Sequence, residues 1–139
     1  MWVRGLALLL CLAVSACSDD GGTPIDAAAG QDAPLVNGCP VLSEPQASPG
    51  DPIDGDTFAS FAAPLFQSYC TRCHATTLTG AARNGAPTGF DWDSEASVRA
   101  HLPEIRNAIG VLNFMPPSEP RPSCAERQRL VRWIDASAP

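Results

Sequence analysis

A chain of 139 residues is long enough for one modest domain and short for two, and with 6% aromatic residues a core built from protein alone would be thin. The formal charge of −6 is uneven: residues 19–56 hold eight acids and no Arg, whereas seven acids and eight Arg follow from residue 57 onward. There is no Lys, and the C-terminal part is close to neutral, so the chain lacks the basic stripe that nucleic-acid binding needs.

The N-terminus reads as an address. Residues 1–16 begin Met-Trp-Val-Arg, continue with an almost wholly apolar run over 6–14 and end on small residues, as a secretory signal does. The run is too short to span a bilayer, which takes about twenty residues. Val14-Ser15-Ala16-Cys17 resembles the lipobox of bacterial lipoproteins, in which the Cys is acylated and becomes the new N-terminus. That resemblance makes Cys17 the lipidation site, and Ser18 after it favours the outer membrane over retention in the inner one. Ordinary cleavage after Ala16 with an incidental Cys is the alternative.

Residues 17–56 are rich in Gly, Pro, Asp and Ala and show little apolar periodicity. Such a stretch buries too little surface to fold, and it is expected to form a disordered, lipid-anchored tether. A folded domain is then expected over 57–139.

Its first helix leads into the decisive motif. Pro64 suits the first turn of a helix, where its missing N–H costs nothing, and Phe66 and Tyr69 follow at helical spacing. Next comes Cys70-Thr71-Arg72-Cys73-His74. Two thiols at i and i+3 lie on one side of a helical turn, where both can form thioethers to the vinyl groups of one haem. The adjacent His places its imidazole on the iron, so the pattern reads as c-type haem attachment. Its rivals are a redox dithiol and half of a zinc site. The second would need further ligands, commonly another Cys pair, which the sequence lacks; the first would need alternating strands and helices. Haem is attached to such motifs outside the cytoplasm, in keeping with the export signal.

Residues 75–89 form a loop of Thr, Gly and small residues. Asp93 or Ser94 then caps a middle helix running to about Ala108 and disturbed by Pro103, with an apolar stripe of Val98, Leu102, Ile105 and Ile109. Trp92, Arg99 and Arg106 are candidate partners for haem propionates, because indole N–H and guanidinium groups donate to carboxylates; packing and surface roles are the alternative. Once Met1 leaves with the signal, Met115 is the sole Met, set in Asn113-Phe114-Met115-Pro116-Pro117. A Met in a proline-stiffened loop is a poor gap-filler and a good distal ligand, raising the potential and closing the second axial position. His101, in an exposed-looking helical stretch, is the competing ligand.

The last helix carries a capping box, Ser123 as N-cap with Glu126 at N3, and an inner face of Leu130, Val131, Trp133 and Ile134. Of six Cys, Cys11 departs with the signal, Cys17 takes lipid, and Cys70 and Cys73 hold haem. Cys39 and Cys124 remain as a candidate disulfide, with two free thiols as the alternative.

The pentad, the Met-Pro-Pro loop and the C-terminal helix together resemble the class I monohaem cytochromes c, over residues 58–139. The resemblance implies an all-α, cytochrome c-like fold of three to four helices around one covalent haem c, with the C-terminal helix crossing the first so that Phe66 meets the Leu130 and Trp133 region. It also implies that the Pro87 carbonyl holds the proximal His74. The expected function is electron transfer on the periplasmic side through a His74/Met115 haem, with an unidentified redox protein as partner, the membrane engaged through lipid, and neither small-molecule substrate nor catalysis of its own. The rival classes are a haem-binding subunit of a redox enzyme such as a peroxidase, which needs a vacant distal position, and a haem-based sensor domain.

Overall fold

The computed structural model of the chain describes residues 34–53 and 55–138. The signal segment, Cys17 and the first half of the expected tether lie outside the described residues. The remainder is mostly helical: four α-helices and one two-stranded antiparallel sheet. None of the described helices is long and apolar enough to cross a membrane.

The sheet is a departure from an all-α fold. Strands β1 (Leu35–Val36) and β2 (Cys39–Pro40) pair Leu35 with Pro40 and Val36 with Cys39. Asn37 and Gly38 join them, both at positive φ (52° and 76°), the residue pair and backbone that a two-residue hairpin turn demands.

The helical body begins with reciprocal capping, Thr57 accepting from the Ser60 N–H and the Ser60 hydroxyl accepting from the Thr57 N–H. A wide π-helical turn (Phe58–Ala62) runs on into α1 (Ala63–Tyr69), with Pro64 in its first turn. Ser94 caps α2 (Glu95–Ala100), while Asp93 instead accepts from the N–H and hydroxyl of Thr76. Pro103 breaks the middle helix as expected: the chain leaves helical geometry at His101, and α3 (Leu102–Arg106) starts afresh with Pro103 in its first turn. A second π-helical turn (Asn107–Val111) follows. The C-terminal helix α4 (Cys124–Asp135) carries the Ser123/Glu126 capping box in full.

One apolar cluster joins these elements. Phe66, Val98, Leu130 and Trp133 are fully buried, with Phe61, Ile105, Ile109 and Ile134 around them. Full burial of one such side chain contributes about 1.5–3 kcal/mol. Phe66 thus shares a core with Leu130 and Trp133, and the Tyr69 hydroxyl donates to Glu126 at 3.2 Å beside it. Gly110 lets the second π-helical turn approach α4 closely, since a Cβ there would sit 2.9 Å from Val131 Cγ2.

The expected boundary at residue 57 does not hold. Residues 34–53 pack on the helical body: Leu42 N–H donates to Gly110 O (2.9 Å), Gln46 N–H to Asp135 Oδ2 (2.8 Å) and Gly50 N–H to Ala136 O (3.2 Å), and Ile53 enters the core. The segment has no apolar period because it forms almost no regular structure. Hydrogen bonds, the Cys39–Cys124 pair and the buried Ile53 side chain hold it instead.

Candidate functional site

The motif follows α1 without a gap. Cys70 and Thr71 N–H groups both donate to Phe66 O (2.8 and 3.0 Å), and those of Cys73 and His74 to Cys70 O (3.1 and 3.0 Å), so the pentad is wound as tight turns. Cys70 and Cys73 are half-buried free thiols. Burial pushes the Cys70 thiol up to about 12, opposite to the depressed value that makes a redox dithiol reactive.

His74 is held from two sides. Its Nδ1 lies 2.7 Å from the carbonyl oxygen of Phe90, and its ring stacks on Trp92 with centroids 5.1 Å apart and planes 19° apart. A carbonyl only accepts, so the proton sits on Nδ1, and Nε2 is left with its lone pair free to accept. Burial lowers the His74 pKa against the opposing pull of the Phe90 hydrogen bond, which favours the neutral imidazole that binds metals.

His74, both thiols and Met115 line one cavity of about 400 Å³. Its walls are the end of α1 with the pentad, the 84–90 loop, Trp92, the inner side of α3 with the following π-helical turn, and residues 112–117. The lining is largely apolar, and the volume falls in the range of about 300–1,000 Å³ usual for small-molecule and cofactor sites.

The Met115 loop is fastened from outside. Arg121 donates to Pro117 O (2.7 Å), Arg72 to Glu119 O (2.7 Å) and to Ser118 O, and the buried Arg127 to Ile109 O and Met115 O. Arginines from three places in the sequence therefore hold the segment bearing Met115 against the cavity.

Other expected residues fall elsewhere. The carbonyl at His74 Nδ1 belongs to Phe90, not to Pro87, whose oxygen accepts from Arg83 at 2.7 Å. Arg99 pairs with Glu95 and donates to Ala138 O, and Arg106 pairs with Asp135 at 2.5 Å; neither lines the cavity. Trp92 does line it, as the stacking partner of His74. His101 is no solvated surface residue: its ring packs on Phe90 (4.4 Å) and Trp92 (5.6 Å), and its Nδ1 is 2.8 Å from Ser97 O. It lies outside the cavity lining. Cys39 and Cys124 meet at disulfide distance, Cα atoms 5.3 Å apart, between β2 and the start of α4.

No family model matches the chain, nor does any curated protein or solved structure. Function rests on the residues themselves. Among these, the reading of the sequence missed Arg83. It is 5% exposed in the loop after the motif and donates to the carbonyls of Ala75 (3.0 Å), Ala86 (3.0 Å), Pro87 (2.7 Å) and Phe90 (3.2 Å). Nothing in Gly80-Ala81-Ala82-Arg83-Asn84 announces a buried cation.

Proposed function

We propose that the chain is a monohaem c-type electron carrier, exported and tethered by lipid on Cys17 to a bacterial membrane, facing the periplasm. The observation that carries the reading is that the four side chains the chemistry requires, Cys70, Cys73, His74 and Met115, line a single apolar cavity. Two free thiols stand beside an imidazole already in its ligating tautomer, so the residues present suit the group. When bound, the haem supplies one-electron redox chemistry, and the protein supplies orientation and dielectric.

Cys70 and Cys73 would hold the porphyrin through thioethers, and His74 Nε2 and the Met115 sulfur would bind its iron. The Phe90 carbonyl and Trp92 keep the imidazole from rotating, as partners behind a metal-bound His generally do. Phe66, Ile105 and Ile109 exclude water from the cavity wall. His74 and Met115 would both bind the iron and so leave no open position for a substrate, which favours a carrier over a peroxidase-like subunit or a sensor. Among the described residues, no three His, Cys, Asp or Glu side chains gather as a closed zinc site would require.

The packing of residues 34–53 shortens the tether.

The test is absorption spectroscopy of the full chain expressed with haem-attachment machinery. Covalent haem and a sulfur-to-iron charge-transfer band are expected, and Met115→Ala should abolish the band while keeping the haem. A colourless product, or one carrying zinc, refutes the proposal. Carbon monoxide binding to the reduced protein without ligand loss would move it to the enzyme or sensor class.

A further inference from the structure

We infer that Arg83 is the positioning residue of the proximal ligand: it pins the Phe90 carbonyl on His74 Nδ1 and, by donating to that same oxygen, biases the bound haem towards the ferrous state. The inference rests on the haem reading above.

The geometry is specific. His74 Nδ1 and Arg83 Nη2 converge on one oxygen, at 2.7 and 3.2 Å. The remaining guanidinium donors go to Ala75, Leu78, Ala86 and Pro87, so one side chain ties both ends of the 75–90 loop around the position where His74 needs an acceptor. A planar fork with five donors suits this work and an ammonium does not. Nη1 also lies 2.7 Å from Asp91 Oδ1, a contact of charges without a directed hydrogen bond that offsets part of the cation's field.

Two physical effects follow, of one sign. An oxygen already accepting from a guanidinium is a weaker acceptor for the imidazole N–H, so the ring carries less imidazolate character and donates less to ferric iron. A buried cation close behind the ring opposes the extra positive charge of the ferric state directly, since the local dielectric is low.

The test uses the full, haem-loaded chain in spectroelectrochemical titration, with the ¹⁵N shift of the His74 ring as a second readout. At the ambient potential where wild type is half reduced, Arg83→Met should raise the ferric-to-ferrous ratio about tenfold, about 59 mV for one electron. Arg83→Lys should recover part of that, and Nδ1 should move towards imidazolate in Arg83→Met. Asp91→Asn leaves every Arg83–carbonyl bond in place and should shift the ratio the other way, so the charge effect stays testable where Arg83→Met does not fold. A ratio unchanged in both Arg83→Met and Asp91→Asn, with haem and the sulfur-to-iron band intact, overturns the inference alone, as does a shift of the same sign in both. A colourless wild type overturns it together with the haem reading.

Discussion

Residues 34–53 and 75–91 are both irregular and rich in Gly and Pro, yet they are held in opposite ways. The first is fastened along its length by contacts to partners far away in sequence: Asn37 on Asn113 O, Leu42 on Gly110, Glu44 O on Arg106, Gln46 on Asp135 and Gly50 on Ala136, with the Cys39 and Cys124 pair at one end. The second is gathered by one internal cation, Arg83, onto carbonyls within eight residues of it. The outer segment has many anchors, of which the Cys39–Cys124 pair restricts the chain most. The inner loop depends on a hub, and that hub stands behind His74. Composition alone therefore does not separate a tether from a packed strap or a positioning loop. What matters is where the backbone donors and acceptors find partners.

Breaking each segment at its fastening sharpens the contrast. The largest effect is expected from Cys124→Ser. A bond across 85 residues of separation restricts the unfolded chain by about 4–5 kcal/mol, so denaturant unfolding should register a loss of that order, with faster proteolysis confined to residues before 54. Equal stability of the variant and the wild type would show that the two sulfurs are not joined in the mature protein. Second, Arg83→Ala removes a buried, hydrogen-bonded charge and leaves Asp91 without its cation; a loss of about 3 kcal/mol is expected. Amide exchange should rise across 75–91 and stay unchanged at Leu42 and Gly50; a uniform rise would erase the distinction between hub and strap.

The smallest effect belongs to the link between strap and α4. Hydrogen bonds from Arg129 to Asp56, at 2.5 and 2.7 Å, hold the Asp56 carboxyl below its ordinary value, and Asp56→Asn should cost about 1 kcal/mol at neutral pH because the Arg129 side chain is largely exposed. A carboxyl with a lowered folded-state pKa adds stability above its unfolded value near 4 and loses it as the pH falls further. The Asn variant should therefore lose less stability than wild type on acidification below about pH 4. Some slope remains in it, because the hydrogen bonds from Ser123 lower the Glu126 carboxyl in the same way. Parallel acid curves for the two proteins would remove Asp56 from the account.

Much of the helical body was legible because its signals are local. Ser123 and Glu126 stand three residues apart and cap α4 as their spacing requires; Pro103 breaks the middle helix near its own position; Val98, Ile105 and Ile109 fall on the buried face. The Asn37-Gly38 hairpin was equally available, since that pair is among the strongest turn signals, but Pro34 and Pro40 on either side made the stretch read as tether. Pro87 marked the right loop and the wrong carbonyl, because every residue carries a carbonyl and none of them shows in side-chain chemistry. Arg99 and Arg106 looked like anion partners from type alone, and the fold spends both on nearby carboxylates, Glu95 and Asp135.

The sequence by itself determined the chemistry the chain can offer: two thiols and an imidazole within one turn, one thioether in a proline-stiffened loop, and the caps and breaks of the helices. Each of these is set by covalent neighbours or by helical spacing. Only the tertiary structure decided that the four donors line one cavity, that Phe90 presents the oxygen facing His74, that Arg83 is buried behind it, and that residues 34–53 belong to the body. Those outcomes depend on backbone groups and charges meeting across gaps in sequence, where no periodicity records which partner each will find.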